Sequence, residues 1–429
     1  MTELVVSYEN REVGVLSDLG TGVITFGYSA GWTNGDRPTP LSVSMPIAGQ
    51  NFRGAVVENY LRGLLPDDPD VVRRWAREAD VSPASTIDVL AHVGEDLPGA
   101  ISISSRERPD RGDRSGAIEW LSEAEVAESI ATVRADHTAW HAYEGDERWS
   151  LAGAQPKLAL HQEAGQWGRT SGRSATTHIL KPGIRGLVDH DLNEHICMAA
   201  AGLLGLSVAP TEIASFGDER VVVVERYDRI VNDRGTTIRL HQEDMCQALG
   251  VQPSLNYQNE GGPSPEAISA LLRSVIPSPQ AADLAVTRFV DALAYNWIIG
   301  GTDAHAKNYS LLLDGEGVLL APLYDVSSIL PYRSYAPKAK LAMKIGSEYR
   351  LGALRRSSWE RLATSVGLPV DAVLTRVLSL IDRTPDAIAS VGTSPNVRRF
   401  PSDLPARLTN AVADHAKDCA RQLALDTES

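Results

Sequence analysis

Asp303, Asn308 and Asp325 are the residues of this chain whose types and spacing best suit chemistry. They stand in Gly301-Thr302-Asp303-Ala304-His305-Ala306-Lys307-Asn308-Tyr309-Ser310 and in Tyr324-Asp325-Val326. A carboxylate, an amide oxygen five positions on and a second carboxylate seventeen beyond that suit phosphoryl transfer to a hydroxyl. The base accepts the hydroxyl proton, and hard oxygen ligands hold the Mg²⁺ ions that neutralise the β- and γ-phosphates. The Asp-x-x-x-x-Asn spacing alone is weak, since about one is expected by chance in a chain of this length. An Asp/Asn-rich turn with structural hydrogen bonds is the ordinary alternative.

The flanking sequence says what must position this set. Phe289 to Ile299 reads as a buried helix running into Gly300-Gly301. Tyr309 to Leu313, the turn Asp314-Gly315-Glu316-Gly317 and Val318 to Ala321 read as a hairpin. The polar residues therefore fall on a helix-to-strand turn, and Asp325 follows the hairpin. Protein kinases use the same order of groups.

Trp149 to Leu160 is a small-residue turn entering an apolar strand. Ala152, Gly153 and Ala154 would let backbone N–H groups approach a phosphate, although by itself the signal is weak, an ordinary turn is the commoner reading and the Gly-Lys-Ser/Thr ending of a Walker A loop is absent. Thr177 to Pro182 is a strand ending in Lys181, placed to contact phosphates in a kinase-like cradle. Glu194, on a following helix, is the natural orienter, against the default of a solvated lysine and a surface glutamate. Val221 to Arg229 is an apolar strand breaking into charge. Its backbone around Glu225 to Tyr227 could meet adenine, or Glu225, Arg226, Asp228 and Arg229 could form a structural ion network. His305 braces the turn by hydrogen bonding more plausibly than it carries a proton.

Length suggests two or three domains. The 43% hydrophobic and 22% charged composition is that of a globular protein. A net charge of −14 argues against bulk attraction to nucleic acid or anionic membranes, leaving a basic stretch from Arg333 through Lys338, Lys340, Lys344, Arg350, Arg355 and Arg356 as a local exception. No secretory signal or membrane span is visible. Cys197, Cys246 and Cys419 are scattered without metal spacing, which points to a reducing cytoplasm and inert thiols. The expected organisation is α+β: an α/β subdomain over 1–103, a nucleotide-cradling α/β subdomain over 104–250 after a mixed-charge loop, and a mostly helical 251–429 with the catalytic and metal-binding loops. A nucleotide would lie in a cleft between the α/β and helical lobes.

Taken in order, the motifs closely resemble the HipA family of serine/threonine kinases, the toxin halves of bacterial toxin–antitoxin pairs. The matching stretches include Leu64 to Asp67, Gly94 to Ala100, Ser150 to Leu160, His178 to Pro182, Asn193-Glu194, Val224 to Arg229, His241 to Gln247, Asp303 to Ser310, Pro322 to Asp325 and Lys340 to Lys344. The resemblance implies a protein-kinase-like two-lobed fold that uses ATP and Mg²⁺. It implies Asp303 as catalytic base, Asn308 and Asp325 as metal ligands, and Lys181 as the phosphate-contacting lysine. Glu225 and Tyr227 become the adenine hinge, and Ala152, Gly153 and Ala154 the phosphate loop, with Gln155, Glu194 and His305 in support. Ser150 matches the family's autophosphorylated serine. Pro156 stands where an acidic residue is frequent and Tyr227 where phenylalanine is common; neither removes a catalytic group. The implied partners are a helix-turn-helix antitoxin similar to HipB, operator DNA through that antitoxin only, and a translation component such as an aminoacyl-tRNA synthetase as substrate. The alternative is a largely dormant kinase acting as an antitoxin-bound co-repressor.

Overall fold

The computed structural model describes residues 2–424 except 10, 19, 21, 106–115, 142–148, 173, 234 and 333–338. Most of the expected mixed-charge loop, and Arg333 and Lys338 of the basic stretch, lie outside the described residues. The chain forms two compact units. The first comprises Met1–Pro182, Ser215–Ser254 and Leu311–Val318; the second comprises Gly183–Ala214, Leu255–Ser310 and Leu319–Ser429.

The first unit begins with an antiparallel sheet in the order Asn51–Arg53, Ile24–Tyr28, Arg11–Asp18, Thr2–Tyr8, Ile101–Ser105. Alternation puts Leu4, Val6, Leu16, Ile24 and Phe26 on one buried face, and Val13, at the register shift opposite Val6 and Ser7, is buried as well. Helices Ala55–Gly63, Pro69–Glu78 and Thr86–Val93 supply Val57, Tyr60, Leu61, Val71, Trp75 and Leu90 to the same core. Asp68 caps the helix at Pro69 by accepting from Asp70 N, a carboxylate cap followed by a proline at the helix start. A second sheet orders Glu219–Glu225, His178–Pro182, Leu158–Glu163, Gln166–Ser171 and Ala117–Leu121. Val221 to Val224 and Leu180 are buried in it. Ser122 and Glu125 close a capping box at the start of helix Glu123–Ala135.

The second unit is mostly helical. Helix Val370–Gly392 packs against His190–Leu203, Pro279–Ile299 and Leu404–Ala424. Pro279–Ile299 is longer than its apolar run, because Ser278 and Pro279 provide a cap and an N-terminal proline ten residues upstream of Phe289. It ends as expected at Gly300, in the left-handed conformation at φ 67°. One element departs from the expected helical pattern: Lys340–Ile345 and Glu348–Arg350 form a hairpin. A six-residue segment is too short for periodicity to separate helix from strand. Among the described residues, no helix is long and apolar enough to cross a membrane. All three cysteines are buried, and burial pushes the Cys197 and Cys419 thiols well up.

Candidate active site

In the first unit, the stretch around Ser150 is tied down on several sides. Ser150 is fully buried; its N–H donates to Asp96 O at 3.0 Å and its Oγ to Leu64 O at 2.7 Å. Gly153 sits at φ 103°, and a Cβ there would come 2.6 Å from Lys157 Nζ, so this position requires glycine. The carbonyl of Gly153 accepts from Asp67 N at 3.1 Å. Gln155 Nε2 donates to Pro182 O at 3.1 Å, bracing the loop on the strand that bears Lys181. Ala152 and Gly153 are half-buried and Ala154 is exposed. The loop thus keeps an open small-residue crest over an anchored base.

Lys157 stands in the same motif, and sequence reasoning gives it no role. It is buried; its ammonium donates to Ala152 O at 2.6 Å and lies 4.7 Å from the Trp140 ring centroid.

Lys181 is buried, not solvated, opposite Val222 in the strand pair His178–Pro182 and Glu219–Glu225. Beyond that pair, Arg226 N donates to Thr177 O at 2.9 Å. Glu225 is exposed and Tyr227 half-buried, with the Tyr227 hydroxyl on Gln242 Oε1. The ion network weighed from sequence exists, with different members. Arg226, Asp228 and Arg229 join Asp96 and Arg239 below the surface. Glu225 is exposed at the end of its strand, outside the network. Burial opposes ionisation of Asp96, but Arg229, Arg239 and Arg226, with the Thr176 hydroxyl, overcome it and hold the carboxyl far below its ordinary range. Asp96 O is also the acceptor for Ser150 N, so one residue carries both the centre of this network and an anchor of the loop. No local motif ties Asp96 to the charged run ending at Arg229, which lies 133 positions away.

In the second unit, helix Pro279–Ile299 leads into the Asp303–Asn308 turn. Asn308 Nδ2 donates to Asp303 O at 2.9 Å, and His305 N to the same carbonyl at 2.8 Å. The amide nitrogen of Asn308 is thereby committed, so its Oδ1 is the atom that could take a cation. Ala306–Asn308 forms one 3₁₀ turn before the strand at Ser310, and Tyr324 Oη donates to Lys307 O at 2.6 Å. Asp325 holds φ at 59°, a left-handed conformation uncommon for a non-glycine residue. Strained backbone of this kind clusters at functional positions.

Asp303 keeps an accessible face, yet protein surrounds it closely enough that burial raises its pKa. Asp325 adds to the rise, while His305, Tyr257 and His190 oppose it. Two carboxylates that repel one another, beside an amide oxygen, fit a hard divalent cation. His305 contributes charge and an edge-on contact with Tyr257, 5.1 Å between centroids. Tyr257 itself, whose hydroxyl donates to Asp303 Oδ1, is missed by sequence reasoning; it is 46 positions away in a turn with no motif. Glu194 is fully buried on helix His190–Leu203, not a surface glutamate. It lies in the second unit and Lys181 in the first.

In the described part of the basic stretch, Arg350 pairs with Glu348 and Arg356 with Glu360, while Arg355 donates to the carbonyls of Gly352 and Leu354.

Residues 4–104 match the model of the HipA N-terminal domain, and residues 149–388 that of the HipA-like C-terminal domain. A Sinorhizobium fredii protein described as a candidate kinase, Y4mE, is 35% identical over 90% of this chain and 91% of its own. The serine/threonine-protein kinase toxin HipA of Shewanella oneidensis is 29% identical, covering 82% of this chain and 81% of its own. The structure of HipA from Shewanella oneidensis MR-1, in complex with HipB and its operator DNA, aligns with a TM-score of 0.81 at 25% identity over 96% of each chain. With both domain models matched in order and a relative this similar along nearly its whole length, the chain belongs to the HipA family of serine/threonine-protein kinases.

Proposed function

We propose that this chain is an ATP- and Mg²⁺-dependent serine/threonine kinase, the toxin of a toxin–antitoxin pair, and that it silences itself by phosphorylating Ser150. The observation that carries the reading is the Asp303–Asn308 turn, folded so that Asn308 Nδ2 and His305 N both donate to the Asp303 carbonyl, with Asp325 close enough to raise the Asp303 pKa.

Asp303 accepts the proton of the acceptor hydroxyl as its oxygen bonds to the γ-phosphorus. The bond from that phosphorus to the β–γ bridging oxygen breaks, and ADP leaves with the electron pair. Asn308 and Asp325 would hold Mg²⁺, which would supply charge neutralisation on the phosphates. Lys181 contacts the α- and β-phosphates, the backbone of Ala152, Gly153 and Ala154 cradles them, and Glu225 with Tyr227 lines the adenine. Catalysis here is positioning plus electrostatics. The physiological acceptor is a translation component such as an aminoacyl-tRNA synthetase, and the chain meets operator DNA through a HipB-like antitoxin.

The test is transfer from γ-labelled ATP. Wild-type protein should label itself on Ser150, while Asp303→Ala and Asp325→Ala, folded as judged by melting, should not. Near-normal labelling in Asp303→Ala would sink the assignment of the base. A wild-type chain that binds an antitoxin but transfers no phosphate would favour a dormant co-repressor.

A further inference from the structure

Tyr257 is not part of the Asp303–Asn308 motif, yet its hydroxyl donates to Oδ1 of the Asp303 carboxylate. The segment that presents it is fixed before and after the ring. Ala306 N donates to Asn256 O at 3.1 Å, and Lys344 N to Gln258 Oε1 at 2.8 Å. Glu260 N and Gly262 N both donate to Tyr257 O at 3.0 Å. Gly261 closes the turn at φ 102°, and Gly262 is packed so that a Cβ would fall 2.3 Å from Leu255 O. The phenol ring stands edge-on to His305 with an interplanar angle of 74°. One side of the catalytic turn therefore carries a rigid platform with a single hydroxyl aimed at the base.

We propose that Tyr257 is a positioning residue for phosphoryl transfer, occupying Oδ1 of Asp303 so that Oδ2 alone is presented to the acceptor hydroxyl. The proposal rests on the reading of Asp303 as the base. A carboxylate held only through its backbone rotates about its Cβ–Cγ bond and offers either oxygen in a range of directions. A fixed donor on one oxygen removes that freedom and aims the other. The phenol stays a donor throughout, because burial and the neighbouring Asp303 push its own pKa up. The turn residues Asn308 and His305 fix the Asp303 backbone; the phenol fixes the far end of the side chain.

Wild type, Tyr257→Phe and Asp303→Ala are compared with γ-labelled ATP and Mg²⁺, scoring both label bound to protein and phosphate released to water. Tyr257→Phe keeps the ring on His305 and removes only the hydroxyl. It should label about 10- to 100-fold more slowly, with the KM for ATP and the melting temperature unchanged and a higher ratio of released phosphate to protein label. A purely structural role would lower melting or raise the KM and leave that ratio alone. Wild-type labelling in Tyr257→Phe overturns the proposal. So does faster labelling, or phosphate found on Tyr257, either of which would mean that the phenol takes the acceptor's place. Undiminished labelling in Asp303→Ala, by contrast, would remove the base itself and with it the frame for Tyr257.

Discussion

Phosphorylation of Ser150 requires a residue with no exposed surface to leave its site, and the structure sets the cost. Among the described residues, four hydrogen bonds hold the stretch from Ser150 to Gly153: Ser150 N to Asp96 O, Ser150 Oγ to Leu64 O, Asp67 N to Gly153 O, and Lys157 Nζ to Ala152 O. In Ser150→Cys the thiol is a weak donor, so the Oγ bond is largely lost and the other three remain. At a net contribution of about 0.5–1.5 kcal/mol each, opening costs ~1.5–4.5 kcal/mol, and the introduced thiol is exposed about one-tenth to one two-thousandth of the time. Labelling with a thiol reagent should be slowed by that factor relative to the urea-unfolded chain. Cys197, Cys246 and Cys419 are buried and set the background, measured in the parent protein. An ATP analogue with Mg²⁺, by occupying the cradle, should slow the labelling further. Labelling at the unfolded-chain rate would refute the argument, because the loop would not then be held and phosphorylation would need no opening. A phosphate on Ser150 could not return to this site: it carries nearly two negative charges and would face the Leu64 and Asp96 carbonyls as one more acceptor. Phosphorylation should therefore hold the loop out.

Two other outcomes follow from the same structure. Lys181→Ala should weaken binding of a non-hydrolysable ATP analogue by about 1.5–3 kcal/mol, one to two decades in affinity; an unchanged dissociation constant by calorimetry would remove Lys181 from the site. Glu243 accepts from Ser42 Oγ and Val43 N in full burial, which pushes its carboxyl up to about 8. The folded chain then keeps a proton that the unfolded chain loses above about pH 4.5, so this contribution is complete below that pH and fades as pH rises through 8. Glu243→Gln should match wild type in urea at pH 5 and exceed it at pH 8.5, by at most ~5 kcal/mol; equal midpoints at both values would contradict this.

Local pattern determined a good deal. The apolar run before Gly300-Gly301 is a helix ending in a left-handed glycine, and the segments after Asn308 form the expected hairpin, because period, length and turn residues are written in neighbouring positions. The order of ten short motifs pointed to the family, since collinear polar groups are far rarer than any one of them. Tertiary structure alone decided the surroundings. Lys181 and Glu194 read as surface residues by type, and only packing buries them. Asp96, Arg226, Asp228, Arg229 and Arg239 meet because loop, strand end and hairpin converge; charge pairing depends on distance in space, which sequence separation does not encode. Tyr257 is the sharpest case. Nothing in Asn256-Tyr257-Gln258 marks it, and its hydroxyl acquires meaning only when the backbone bond from Ala306 to Asn256 brings it to Asp303.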